Sequence, residues 1–197
     1  VPAQPASVKV PEGSCDCHAH VFESARAAAF PATGKDESDA PPDASLADLD
    51  RLHRRLGITR AVLVQPSLYG RDHRVLLESL RANPHLRGVA VINDAVSDEE
   101  LRVLHQAGVR GSRLNLGGKA QTVSGPDEAD RCIRRVERLG WYVKVGGPPE
   151  VLLRHERWLR RMAVTAVLDH LAGIDASAGP QQPMFQLALD LLKQPSW

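Results

Sequence analysis

The sequence predicts an α/β fold built on parallel strands, and three observations carry that prediction. Short apolar, β-branched runs alternate six times with helical patterns. Capping residues, glycines and prolines stand at the joints of that alternation. Polar residues gather just after the strands. Strands joined through helices run parallel with right-handed crossovers. A doubly wound open sheet and a barrel both satisfy this order. No G-x-G-x-x-G follows the first strand, which weakens the dinucleotide-binding version of the open sheet.

The elements follow in turn. Ser14 to His18 is the first expected strand, and a loop rich in Pro, Gly and acidic residues runs from Glu23 to Asp43. Ser45 is an N-cap with Asp48 three residues on, and its helix reaches Leu56, where Gly57 supplies the stop. Ala61 to Gln65 begins with a continuous apolar run, the pattern of a strand buried on both faces. A loop from Pro66 to Asp72 leads into a helix from His73 to Ala82, and Gly88 to Ile92 is the third strand. Ser97 and Glu100 form a capping box for a helix that ends at Gly108. Val109 to Leu116 is the fourth strand, followed by a glycine-rich loop to Gly125. Pro126 suits the first turn of a helix ending at Gly140. Trp141 to Val145 is the fifth strand, and Glu150 to Arg161 the helix after it. Thr165 to Leu168 is the sixth strand, and Pro183 to Lys193 the sixth helix. No repeat or internal boundary interrupts the pattern, so 1–13 is expected as an N-terminal extension and 14–197 as a single domain.

Composition narrows the class. The 197 residues are 43% hydrophobic and 25% charged, as in globular enzymes, and long enough for a sizeable core. A net charge of +1 points to no nucleic-acid partner and no anionic membrane surface. No apolar run approaches the roughly 18 residues that span a bilayer. Val1 to Pro11 has neither the basic nor the apolar region of a signal peptide. Cys15, Cys17 and Cys132 are odd in number, and the first two lie too close on a strand to bridge easily. Reduced thiols and a cytoplasmic location are the natural expectation. The sequence leaves room for a homo-oligomer without fixing one.

The polar strand ends are the candidate chemistry. His18 and His20, two apart on a strand, point to one side and can face one ligand, metal or substrate. A structural zinc site shared with Cys15 and Cys17 is disfavoured, because no second ligand pair has the required spacing. Arg113 and Asn115 share a face of the fourth strand. A guanidinium there needs an anion, either a substrate carboxylate or an internal carboxylate. Ser67 and Lys119 follow the second and fourth strands and can add hydrogen bonds or charge. Asp169 and His170 close the sixth strand, where adjacent residues point to opposite faces. His170 is therefore the catalytic candidate, and Asp169 is expected to be structural rather than its partner. His53, His73, His85, His105 and His155 are expected at the surface.

Five segments carry a family resemblance: Cys15 to Phe22, Pro41 to Ser45, Ala61 to Ser67, Val109 to Asn115, and Val167 to His170. Together they resemble the amidohydrolase-related family of the amidohydrolase superfamily, the group that includes the pyrone-dicarboxylate lactonases. The resemblance implies a TIM-type (β/α)8 barrel, of which about six βα units lie in this sequence. By the family pattern strands seven and eight, with a general-base aspartate, fall beyond Trp197. The implied activity is hydrolytic opening of a lactone, 2-pyrone-dicarboxylate-like, or of a related cyclic carboxylic ester. The implied catalytic residues are His18, His20 and His170, which polarise the lactone carbonyl. Ser67, Arg113, Asn115 and Lys119 would bind a small-molecule carboxylate substrate. Arg113, Asn115 and Gly146 stand where metal-dependent relatives place ligands, so no cofactor is favoured. If a divalent metal such as zinc is held, His18, His20 and His170 are its ligands. The alternatives are a metal-dependent hydrolase or decarboxylase, or an inactive truncated product.

Overall fold

The computed structural model describes residues 10–23 and 44–197. Most of the expected 1–13 extension, the Glu23–Asp43 loop after its first residue, and Pro41 to Asp43 lie outside the described residues. The chain divides into two compact units, residues 1–90 with 106–109, and residues 91–105 with 110–197.

The first unit holds strands β1 (Cys15–Ala19), β2 (Arg60–Val64) and β3 (Leu86–Val91, its last residue assigned to the second unit). They pair in parallel in that order. Helices α1 (Leu46–Leu56) and α2 (Arg74–Ala82) form the crossovers. The Ser45 hydroxyl and the Asp48 carboxylate cap the start of α1 reciprocally, and Gly57 ends it in the left-handed conformation at φ 75°. Gly88 is required by packing: a Cβ there would lie 2.8 Å from Leu80 Cδ1 and 3.0 Å from Val109 Cγ2. That absent methyl lets α2 sit directly on β3 and bury Leu76 and Leu80.

β1 slips in register between Asp16, opposite Ala61, and Ala19, opposite Leu63. Three residues on β1 span two on β2, which marks a bulge. Cys17 and His18 occupy it.

The second unit holds β4 (Val109–Asn115, its first residue assigned to the first unit), β5 (Tyr142–Gly146) and β6 (Ala166–Leu168), again parallel and in chain order. Its helices are α3 (Asp98–Ala107, its last two residues assigned to the first unit), α4 (Pro126–Glu137), α5 (Pro149–Arg154), α6 (Glu156–Arg160) and α7 (Pro183–Leu191). Ser97 and Glu100 close the expected capping box before α3. Proline occupies the first turn of α4, α5 and α7, where its missing N–H is not needed. The single helix expected from Glu150 to Arg161 is two, divided at His155, whose φ of −106° and ψ of 21° leave the helical region. Trp141 is buried, and its indole N–H donates to His105 Nδ1 at 3.0 Å.

The surface expectation for the remaining histidines needs correction. His53 is 7% exposed and His73 9%, both buried, and His105 and His155 are half-buried; His85 is exposed as expected. His53 is buried because Asp16 Oδ2 accepts from its Nε2 at 3.0 Å, which satisfies the ring inside the unit. Among the described residues no helix is long and apolar enough to cross a membrane.

Candidate active site

Register builds the site of the second unit. Arg113 stands beside Lys144, and Asn115 beside Gly146, on the β4–β5 ladder. Register partners on parallel strands lie about 4.8 Å apart with side chains on one face. The ladder therefore sets two cations side by side. Asp169, just past the end of β6, supplies the counter-charge. Its Oδ1 lies 3.1 Å from Lys144 Nζ and its Oδ2 3.3 Å from Arg113 Nη2. All three side chains are at least nine-tenths buried, a state that charged residues reach almost only when paired. Burial alone would push the Asp169 carboxyl up, but Lys144 and then Arg113 outweigh it and hold the group below the usual aspartate range. Burial also lowers the Arg113 pKa, with Asp169 opposing. Lys144 is the residue that the sequence reading missed. Its signal was a lone charge inside the apolar run from Trp141 to Val145.

The placement of Asp169 and His170 corrects the expectation of opposite faces. β6 stops at Leu168, and the chain enters a left-handed turn in which His170, Leu171 and Ala172 adopt φ of 51°, 52° and 56°. For residues with a Cβ this conformation costs about 1–2 kcal/mol each. The turn exposes the His170 side chain and brings its Nδ1 to 3.7 Å from Asp169 Oδ2. That oxygen also faces Arg113, so Asp169 is a neighbour of both residues. The alternation argument failed because it applies to strands, not to this turn.

Asn115 is buried and oriented. Its Nδ2 donates to Ala120 O at 3.0 Å, and its backbone N–H donates to Thr122 Oγ1 at 2.8 Å. Its Oδ1 is turned toward Gly146, where a Cβ would lie 2.7 Å away. Lys119 is exposed in the loop after Gly117 and Gly118.

In the first unit His18 and His20 come together as their spacing predicts, with Nε2 atoms 3.3 Å apart and rings edge to face. His20 Nδ1 lies 2.7 Å from Val64 O. A carbonyl only accepts, so His20 carries a proton on Nδ1. Asp16 Oδ1 accepts from the His18 backbone N–H at 3.1 Å. Gln65 is fully buried and braces the next loop, its Nε2 donating to Gly70 O and Asp72 O. Ser67 opens the short 3-10 turn Ser67–Tyr69 and is half-buried.

Each unit can be tested for a divalent cation. Two imidazoles bound to one tetrahedral zinc at about 2.0–2.1 Å stand roughly 3.3–3.4 Å apart, which the His18–His20 separation of 3.3 Å matches. Catalytic zinc takes three protein ligands, and the nearby Asp16 of the first unit is committed to His53 and the His18 backbone. In the second unit, two cations already hold the Asp169 carboxylate. A dication there would meet Arg113 and Lys144 as like charges.

The model of the Amidohydrolase family matches residues 15–196. The chain is 31% identical over 194 residues to a 2-pyrone-4,6-dicarboxylate hydrolase of Comamonas testosteroni, covering 98% of this chain and 62% of that protein. It is 30% identical over 191 residues to a 4-sulfomuconolactone hydrolase of Rhizobium radiobacter, covering 95% and 62%. A crystal structure of a probable 2-pyrone-4,6-dicarboxylic acid hydrolase from Acinetobacter baumannii, with citric acid bound, superposes with a TM-score of 0.74. It is 27% identical and covers 90% of this chain and 65% of that one. The chain belongs to the amidohydrolase family, and its fold is the TIM-like α/β fold expected, with six parallel strands and their alternating helices. It spans 62% of the length of these curated relatives.

Proposed function

We propose that the protein opens a lactone, 2-pyrone-dicarboxylate-like or a related cyclic carboxylic ester, by addition of water. The observation that carries this reading is the buried Arg113–Asp169–Lys144 cluster, in which Asp169, just past the C-terminal end of β6, meets side chains from the C-terminal half of β4 and the middle of β5. The ends of the strands form the catalytic face of TIM-type folds. Burying an ion costs several kcal/mol even after relaxation, roughly, and apolar side chains would close a merely structural strand end without that cost. The two curated relatives act, by their names, on ring lactones that carry carboxylate or sulfonate groups. A guanidinium suits such anions through its planar fork of donors.

In this reading Arg113 holds a substrate carboxylate, with Ser67, Asn115 and Lys119 adding hydrogen bonds or charge. Lys144 and Asp169 set the position and field of Arg113. His18, His20 and His170 polarise the lactone carbonyl and stabilise the oxyanion that develops there. Water oxygen bonds to the carbonyl carbon, the ring C–O bond breaks, and the ring oxygen takes up the proton that water loses. No cofactor is needed for this chemistry, and a cytoplasmic location goes with the three free thiols.

The test is hydrolysis of 2-pyrone-4,6-dicarboxylate, followed by loss of the pyrone absorbance, beside the neutral 2-pyrone. The dicarboxylate should be turned over, and Arg113→Met should raise its KM at least tenfold, roughly, with little effect on the neutral ring. A folded protein that opens neither ring overturns the proposal.

A metal-dependent reaction on a similar acid is the second reading, favoured by the 3.3 Å spacing of the His18 and His20 nitrogens. Stoichiometric zinc in the purified protein, with turnover lost to a chelator and restored by zinc, would select it. Metal-free protein with full turnover would remove it.

A further inference from the structure

The first unit contains a cavity of about 550 Å³ at the starting ends of β2 and β3. His20 and Gln65 lie past the other ends of β1 and β2, about 13 Å from the start of β2 by the rise along that strand. The volume lies within the range of small-molecule sites. Ile58, Ala61 and Leu86 supply apolar walls, and Arg54 and Arg60 supply positive charge, with Asp50 the carboxylate among its lining residues. Arg60, at the first position of β2, donates to the Gly13 carbonyl, so its guanidinium is already tethered. Arg54 comes from the last turn of α1. His53 also lines the cavity and is buried, its ring fixed by the bond from Nε2 to Asp16 Oδ2. Asp16 Oδ1 takes the backbone N–H of His18. One carboxylate thus connects the cavity's histidine to the backbone of a candidate catalytic residue.

We propose that this cavity is a binding site for a small carboxylate with a compact apolar body, separate from the residues at the strand ends. The apolar walls accept the body, and the two guanidiniums face the carboxylate in the planar geometry that arginine provides. Two arginines against one aspartate among the lining residues favour an anion over a cation or a neutral ligand. An occupant would touch the His53 ring, whose partner Asp16 anchors His18.

Benzoate is the probe, with benzamide as its neutral isostere, and calorimetric titration of the protein is the readout. Benzoate should bind at least tenfold more tightly than benzamide. The double variant Arg54→Met, Arg60→Met should weaken benzoate at least tenfold. Both arginines are exposed, so the fold should survive, and a thermal melt checks it. Ile58→Trp, which fills the cavity from its apolar side, should also abolish binding. The proposal is overturned if folded protein binds no benzoate, if benzamide binds equally well, or if the arginine double variant binds benzoate unchanged. The readout is binding, so its outcome is independent of lactone hydrolysis.

Discussion

Asn115 and Gly146 are neighbours on the β4–β5 ladder, and the side-chain oxygen of the first fills the space a side chain on the second would need. A Cβ at residue 146 would lie 2.7 Å from Asn115 Oδ1, and the bond from Asn115 Nδ2 to Ala120 O holds the amide in place. The absence of a polar side chain at the end of the fifth strand and the presence of Asn115 on the fourth are two sides of one packing arrangement. Gly146→Ala should destabilise the protein by about 1–3 kcal/mol through overpacking. In an Asn115→Ala background the same change should cost much less. Urea denaturation of the four proteins of this cycle measures the coupling, and equal costs in both backgrounds would sink the packing account.

Asp169 balances two buried cations, so its removal should be expensive. Asp169→Asn leaves Arg113 and Lys144 facing each other without their shared carboxylate, and should cost about 3–5 kcal/mol. The pH dependence has a definite sign. Because the folded-state pKa of Asp169 is lowered, its contribution is fully present above the ordinary aspartate value. It is lost as pH falls through the lowered one. The urea midpoint of the wild-type protein should therefore drop on acidification more steeply than that of Asp169→Asn. Parallel acid profiles for the two would show that this carboxylate is not held by its cations.

The imidazole pair gives a prediction that separates chemistry from folding. His18→Asn should lower lactone turnover by about 10²–10³-fold, the loss typical of one oxyanion-stabilising donor. His18 is half-buried, so the melting temperature should hardly move. Retained turnover in the variant would take His18 out of the reaction.

The three thiols should separate by reactivity. Cys17 is exposed, Cys15 is half-buried, and Cys132 is buried in α4 with its thiol pushed up to about 11 by burial. Burial also raises the Cys15 thiol, with Cys17 contributing. Titration with a chromogenic disulfide at neutral pH should modify Cys17 first and leave Cys132 unreacted until the protein is unfolded. Rapid modification of Cys132 in the native protein would contradict its placement.

Local signals were read well because their physics is local. Ser45 with Asp48, Ser97 with Glu100, and Gly57 are capping devices completed within four residues, and each works as its sequence implies. The burial of His53 was legible but overlooked: Leu46, Leu49, His53 and Leu56 share one stripe of α1, so the histidine faces inward with the leucines. Lys144 was legible in the same way, as a charge in a strand otherwise built to be buried. The break at His155 had no such signal, since neither glycine nor proline stands there. The turn from Asp169 to Gly173 was hidden too, because three residues with a Cβ enter the left-handed region. Propensity argues against that, and only surrounding structure can impose it.

The sequence by itself determined the alternation of strands and helices, their caps, the polar residues at the strand ends and the family resemblance. Each of these is written in residue types and spacings within a short stretch of chain. Only the tertiary structure decided what those polar residues meet. It set Arg113 beside Lys144, placed Asp169 between them, joined His53 to Asp16 and fitted Asn115 over Gly146. These partners lie far apart in the chain. Strand register and the path of one strained turn bring them together, and neither can be read from periodicity.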